Sequence, residues 1–201
     1  MAEIIIASKN KGKISEIKKI LSLKEVELLD LSELSFSSSI DESGITFREN
    51  ALIKAETVFS LYKIPVIADD SGLSVWCLGG KPGVFSARFA GPDASDDGNN
   101  RLLLEKLKGI PDEERTAWFC CAAIFYYSTG KYFVSEGKVD GEITQSPIGK
   151  NGFGYDPVFF IPEYGKTMAQ LSAHEKNRIS HRALAFRGLK KYIEKYLRKL
   201  S

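Results

Sequence analysis

Apolar residues along this chain recur with two periods, and those periods predict most of its elements. Residues 3–7 form a short, nearly unbroken apolar run, as a buried strand does. Ile14, Ile17, Ile20 and Leu21 follow at helical spacing within residues 12–23. The chain therefore opens strand, polar loop, helix. Residues 25–31 read as a second strand, and the serine-rich residues 35–44 as an exposed loop. In Phe47–Tyr62 the apolar positions are Phe47, Ala51, Leu52, Ala55, Val58, Phe59 and Tyr62, an amphipathic helix. Thr46 with Glu49 three residues later has the form of a capping box, and Pro65 stops the helix.

Beyond it, residues 66–68 predict a short strand ending in Asp69-Asp70-Ser71-Gly72, with residues 73–78 continuing extended. Residues 79–83 are a Gly/Pro loop. Leu102, Leu103, Leu104 and Leu107 mark a helix ended by Gly109 and Pro111. Residues 115–127 are a long strand, Ser128-Thr129-Gly130 a hairpin turn into residues 131–136, and 137–143 a further strand. Residues 146–156 are a Gly-rich loop. A last helix starts near Ser180, with Leu189, Ile193, Tyr196, Leu197 and Leu200 on one face. Strands alternating with helices, plus one antiparallel pair, predict a mixed α/β fold. No repeat or linker breaks the pattern, so residues 1–201 are expected to be a single domain.

Composition narrows the class. Of 201 residues 43% are hydrophobic and 27% charged, the profile of a globular chain rather than a disordered one. Lys plus Arg number 28 against 26 Asp plus Glu, a net charge of +2, which excludes bulk binding of polyanions. A C-terminal stripe of Lys190, Lys191, Lys195, Arg198 and Lys199 is interrupted by Glu194 and reads as a solvated helix face, so no nucleic-acid partner is expected. No apolar run approaches the ~18 residues that span a bilayer, and the N-terminal run is too short for a signal-peptide core. Three cysteines, Cys77, Cys120 and Cys121, are an odd number without CxxC spacing. They read as small buried hydrophobes in a reducing compartment, and a cytoplasmic location is expected.

Four places carry charge or glycine where a plain fold has no need of them. Ser8-Lys9-Asn10-Lys11-Gly12-Lys13 sets three lysines at a helix N-terminus, against the dipole. An anion such as phosphate would relieve this; a solvated loop with Ser8 or Asn10 as N-cap is the plainer alternative. Ser180-His181-Arg182 repeats the pattern, with Ser180 as N-cap, or is simply an exposed basic helix start. Asp69-Asp70 pairs two carboxylates after a buried strand, where ligands of α/β sheets bind. A hard cation such as Mg²⁺ would offset their repulsion, with Asp41-Glu42 adding oxygen ligands; Asp-Ser-Gly is otherwise common turn chemistry. Asn151-Gly152-Phe153-Gly154-Tyr155-Asp156-Pro157 sets aromatics among glycines, which suits a planar ring or a tight turn. Phosphate, Mg²⁺ and a planar base are together the needs of a nucleoside triphosphate.

On these residues the chain resembles the inosine/xanthosine triphosphate pyrophosphatase (Ham1-like) family. The resemblance runs through the Ser8–Lys13 block, Thr46-Phe47 with Glu49-Asn50-Ala51, Ala68 to Leu73, Leu78-Gly79-Gly80 with Pro82-Gly83, Ser86-Ala87-Arg88, Gly152 to Pro157, and Glu175-Lys176 with Ile179 to Arg182. It covers essentially the whole chain. Ser8 stands where many relatives have Thr, and Lys150-Asn151 precedes Gly152 where relatives often carry another Gly.

The resemblance implies a central elongated mixed sheet flanked by helices, two lobes with an active-site cleft, and a homodimer. It implies Mg²⁺-dependent hydrolysis of ITP, dITP, XTP and dXTP to the monophosphate and pyrophosphate. Asp70 would be catalytic and a metal ligand, with Asp41 and Glu42 as further ligands. Ser8, Lys9, Asn10, Lys11, Gly12 and Lys13 would hold the triphosphate. Ser71, Phe153, Gly154, Tyr155, Asp156, Lys176, His181 and Arg182 would contact the nucleotide. Because a guanidinium only donates, Arg182 with His181 is the expected reader of the purine 6-oxo group. The competing expectations are a Maf-type pyrophosphatase acting on modified pyrimidines, which the Ser180-His181-Arg182 and Phe153 to Pro157 blocks argue against, and a nucleotide-sensing module without turnover.

Overall fold

A computed structural model describes residues 2–34, 36 and 40–200, so Ser35 and Ser37 to Ser39 of the serine-rich loop lie outside the described residues. Seven strands form one mixed sheet in the order β2-β1-β3-β4-β5-β6-β7. They are β1 (Ala2–Ile6), β2 (Val26–Asp30), β3 (Val66–Val75), β4 (Thr116–Ser128), β5 (Lys131–Ile143), β6 (Phe159–Ile161) and β7 (Lys166–Thr167). Among the described residues five α-helices accompany them: α1 (Lys11–Leu21), α2 (Phe47–Tyr62), α3 (Asp96–Lys106), α4 (Ala173–Ile179) and α5 (His181–Leu197). β1 pairs in parallel with both β2 and β3, as strands joined through helices must, while β6 pairs antiparallel with β5 and β7.

The chain gathers into two compact units, neither continuous in sequence. The first comprises Met1–Asp70, Cys121–Gly137 and His181–Ser201; the second Ser71–Cys120 and Lys138–Ser180. The boundaries fall inside β3, β4 and β5, so three strands belong to both. That is why composition shows no linker.

In the first unit the strands are buried on both faces, and their side chains alternate between two cores. Ile4, Ile6, Ile67, Cys121, Ala123 and Phe125 pack with Ile14, Ile17 and Leu21 of α1 and Phe186, Leu189 and Ile193 of α5. Ile5, Val66, Ala68, Ile124 and Tyr126 pack with Ala51, Ala55 and Val58 of α2. The second unit has its own core, including Leu73, Val75, Leu103, Phe119, Phe159 and Met168. At its margin lies a fully buried Arg115, whose Nε, Nη1 and Nη2 donate to the carbonyls of Ile143, Leu107 and Thr144 at 2.7, 2.9 and 2.8 Å.

Three elements differ from the expectation. β3 runs unbroken through Asp69 to Gly72, so that segment is strand and not turn. The pieces expected at 131–136 and 137–143 are one strand, β5. Ser180 is the C-terminal cap of α4, a helix the pattern did not predict, and α5 begins at once after it. The capping box at Thr46 and Glu49 is present as expected.

Candidate active site

Because Asp69 and Asp70 are adjacent in a strand, they point to opposite faces of the sheet, and each meets different cations. Asp69 shares the side of Ile67 and Cys121, under α1 and α5. Its Oδ2 lies 3.1 Å from Lys13 Nζ and 3.5 Å from Arg182 Nε, with the Cys121 Sγ at 4.0 Å. Arg182 Nη1 also pairs with Glu16 of α1. Burial pushes the Asp69 carboxyl up, but Lys13, Arg182 and Lys54 outweigh it and hold it below the ordinary carboxylate range. Burial likewise disfavours the Arg182 charge, and Asp69 and Glu16 more than restore it. The same burial, beside Asp69, drives the Cys121 thiol upward, so it stays protonated and inert.

Asp70 faces α2. Lys54 Nζ lies 3.4 Å from its Oδ1, and Asn50 Nδ2 donates to its Oδ2 at 3.2 Å. Lys54 and Asn50 are four residues apart, on the same helix face as Ala51, Ala55 and Val58. Lys54 Nζ also reaches Glu42 Oε2 at 3.5 Å. The loop that brings Glu42 there is tied to the first turn of α2. Asn50 Oδ1 accepts from the Gly44 N–H at 2.8 Å, and Glu49 Oε2 from the N–H groups of Ile45 and Thr46 at 2.8 and 3.1 Å. Burial raises the Asp70 carboxyl above its ordinary value against the pull of Lys54 and Lys13, with Glu42 and Asp69 adding to the rise. Lys54, though buried, is kept charged by Asp70, Asp69 and Glu42. Asp70 is therefore a buried carboxylate with raised proton affinity, suited to taking a proton.

The second unit carries a separate cluster. Lys176 Nζ pairs with Asp156 Oδ2 at 2.5 Å and lies 4.6 Å from the centre of the Phe153 ring. Asp156 Oδ2 also accepts the Phe153 N–H at 2.8 Å. Lys176 and Asp156 are both buried.

Several expected site residues have plainer duties. Asn10 is the N-cap of α1, accepting from the Lys13 N–H at 3.0 Å, and the Ser8 hydroxyl accepts from the Asn10 N–H at 3.2 Å. Lys11 is exposed and Gly12 half-buried, while Lys9 lies 5.3 Å over the Phe36 ring. Ser71 follows Asp70 in β3, half-buried. Tyr155 is a core residue whose hydroxyl donates to the Ser86 carbonyl at 2.8 Å. Asp156 holds the Phe153 N–H and the Lys176 ammonium. His181 and Arg182 are buried rather than an exposed basic helix start.

The metal set changes as well. Among the described residues no three His, Cys, Asp or Glu gather closely enough to hold an ion, so Asp41, Glu42 and Asp70 are not a preformed cage. Asp41 is exposed; Glu42 and Asp70 converge through the Lys54 ammonium. Asn50, Lys54 and Glu16 are the participants that sequence reasoning missed. The readable signal was a lysine and an asparagine on the apolar stripe of α2.

Comparison with known proteins gives one family. A model of the Ham1 family matches residues 4–192. A dITP/XTP pyrophosphatase of Bacillus subtilis (strain 168) is 47% identical over 194 residues, spanning 96% of this chain and 98% of that protein. The Ham1 protein of Coxiella burnetii aligns with a TM-score of 0.88 at 39% identity, over 97% of this chain and 100% of that one. The Ham1 protein of Staphylococcus aureus aligns at 0.86 and 43%, over 96% and 99%.

Proposed function

The chain belongs to the Ham1 family, and from that premise we propose that it hydrolyses non-standard purine nucleoside triphosphates, ITP, dITP, XTP and dXTP, to the monophosphate and pyrophosphate. That activity would keep them from incorporation into DNA and RNA. The observation that carries this reading is Asp70, a buried carboxylate fixed by Lys54 and Asn50. In the proposed step Asp70 orients a water and takes its proton. The water oxygen bonds to the α-phosphorus, the bond to the bridging α–β oxygen breaks, and pyrophosphate leaves with the electron pair. Lys13 and Lys54 supply positive charge for the phosphates, at the N-terminus of α1 and in the buried cluster. Ser8, Lys9, Asn10, Lys11 and Gly12 border the same helix start and are assigned to the triphosphate.

The donor set fits Mg²⁺. Asp70 and Glu42 both pair with the Lys54 ammonium and are the carboxylates that would hold Mg²⁺, which is commonly bound by one or two carboxylates together with substrate phosphates rather than by an all-protein cage. Bound there it would spread the charge developing on the phosphates. In the second unit Phe153 and Lys176 are assigned to the base, with Asp156 fixing both. Arg182 and His181 are assigned to the purine 6-oxo group on donor chemistry, Glu16 and Asp69 keeping the guanidinium charged.

Among the described residues no helix is long and apolar enough to cross a membrane. On the expectation that an odd number of cysteines without CxxC spacing stays reduced, we propose a cytoplasmic location. A homodimer is proposed on the family resemblance, and sedimentation at micromolar concentration tests it. The activity is tested by pyrophosphate release from inosine, xanthosine, guanosine and adenosine triphosphates, with Mg²⁺ and with chelator. Wild type is expected to act on the first two with Mg²⁺ only. Asp70→Asn is expected to lower kcat about 10³-fold while nucleotide still binds; wild-type turnover in that variant would sink the assignment.

A further inference from the structure

α3 carries an unusual load for a helix that supplies no group to the reaction. Its buried side includes two amides, Asn99 and Asn100, beside Leu103. A buried amide is costly unless its hydrogen bonds are made, and packing alone would be served by an apolar residue. Asn99 spends its amide on the neighbouring turn, accepting from the Ala90 N–H at 2.8 Å and donating to the Ala87 carbonyl at 3.2 Å. Asn100 does something different. Its Nδ2 donates to the Gly154 carbonyl at 2.9 Å, across 54 positions of sequence. One helical turn earlier, Asp96 Oδ2 accepts the Gly154 N–H at 2.7 Å. Both polar groups of one glycine are thus held by residues i and i+4 of one helix face.

The held glycine is the neighbour of Phe153. Its φ is +62°, in the left-handed region, where a free Gly-rich loop would sample many alternatives. The bond to its N–H fixes the peptide plane that leaves Phe153, and the bond to its carbonyl fixes the plane that enters Tyr155. The Phe153 N–H is taken by Asp156, and the Tyr155 hydroxyl is anchored on Ser86. With both planes set, the backbone that carries Phe153 is fixed, and its ring lies across Lys176 Nζ, 4.6 Å from the ring centre.

We propose that Asp96 and Asn100 are positioning residues for purine recognition, a two-point clamp on Gly154 that fixes the Phe153 ring as the face on which the base stacks. This rests on the reading of the second unit as the base subsite. The clamp acts on the base subsite, since both of its bonds are to Gly154 beside Phe153.

The test separates those two halves of the substrate with the two products. Binding of inosine monophosphate and of pyrophosphate is measured by calorimetry for Asp96→Ala, Asn100→Asp, Asp96→Asn and Phe153→Ala, together with KM and kcat for ITP and the melting temperature. Loss of one clamp bond should weaken inosine monophosphate about tenfold and raise KM for ITP by a similar factor. Pyrophosphate affinity and kcat should stay within about twofold. Asp96→Asn keeps an acceptor oxygen and should recover most of the affinity lost in Asp96→Ala. If Phe153→Ala weakens inosine monophosphate while Asp96→Ala and Asn100→Asp do not, the clamp is wrong and the base reading stands. If Phe153→Ala has no effect, the base reading falls and takes the clamp with it. Equal weakening of both products, with a lowered melting temperature, would reduce the two residues to fold support and overturn the proposal.

Discussion

Asp69 and Asp70 are neighbours in sequence and opposites in environment, and their carboxyls are shifted in opposite directions from the ordinary value. The folded Asp69 carboxyl is held below its ordinary value of 3.8. Its contribution to stability is therefore full above that value and lost as pH falls below it. Asp69→Asn has no such contribution to lose and leaves Lys13 and Arg182 short of a buried partner, at a cost of roughly 3–5 kcal/mol near neutrality. Urea midpoints of the two proteins should accordingly converge as the pH is lowered toward 3. An unchanged gap would show that Asp69 does not titrate as described. Asp70 is raised instead, by burial first. Activity that needs its charged form should fail on acidification at a higher pH than for an ordinary aspartate. Removing the Lys54 charge removes the main force opposing that rise, so in Lys54→Met the acid limb of the kcat/KM profile should move to higher pH. A limb that stays in place or moves down would refute the coupling.

At the scale of elements, glycine placement shows how α5 brings Arg182 to Asp69. A Cβ at Gly137 of β5 would collide with backbone, at His181 O and, at 2.7 Å, at Ala185 N. The strand and the first turn of α5 touch there without a side chain between them. Gly137→Ala must push that turn away and is expected to lower the melting temperature and to reduce kcat/KM through Arg182. A variant with wild-type melting and kinetics would show the approach to be slack. Gly137 also illustrates what could be read from sequence. The α2 boundaries, the capping box, the strand–loop–helix opening and the β4–β5 hairpin follow from periodicity and local turn chemistry, which act over a few residues. The site needed more than that. Periodicity marked Asn50 and Lys54 only as misfits on an apolar stripe, since what they satisfy is Asp70, in another element. Tyr155 and Asp156 stood in a recognisable motif, yet their partners, Ser86 and Lys176, lie in other elements that periodicity does not connect to them. β6, β7 and α4 are three, two and seven residues long, too short for a period to stand out.

For the whole molecule the consequential feature is that β3, β4 and β5 pass through both compact units. Each unit has a core of its own, which by itself would allow the two to unfold separately. The shared strands argue against it. Unfolding the first unit would release half of β3 and most of β4's apolar residues, and the ladder that continues along those same strands would lose its ends in the second. We therefore expect one transition. The tryptophans make this measurable, because Trp76 and Trp118, the only two in the chain, both lie in the second unit. Phe125→Ala opens a cavity solely in the first unit's core, beneath α5, at a cost of about 3–5 kcal/mol. If the units unfold together, the denaturation midpoint read by tryptophan fluorescence should fall as far as that read by far-ultraviolet circular dichroism. If fluorescence keeps its wild-type midpoint while circular dichroism shifts, the units are independent, and the proposed catalytic carboxylate and the proposed base platform stand on separately stable parts of the protein.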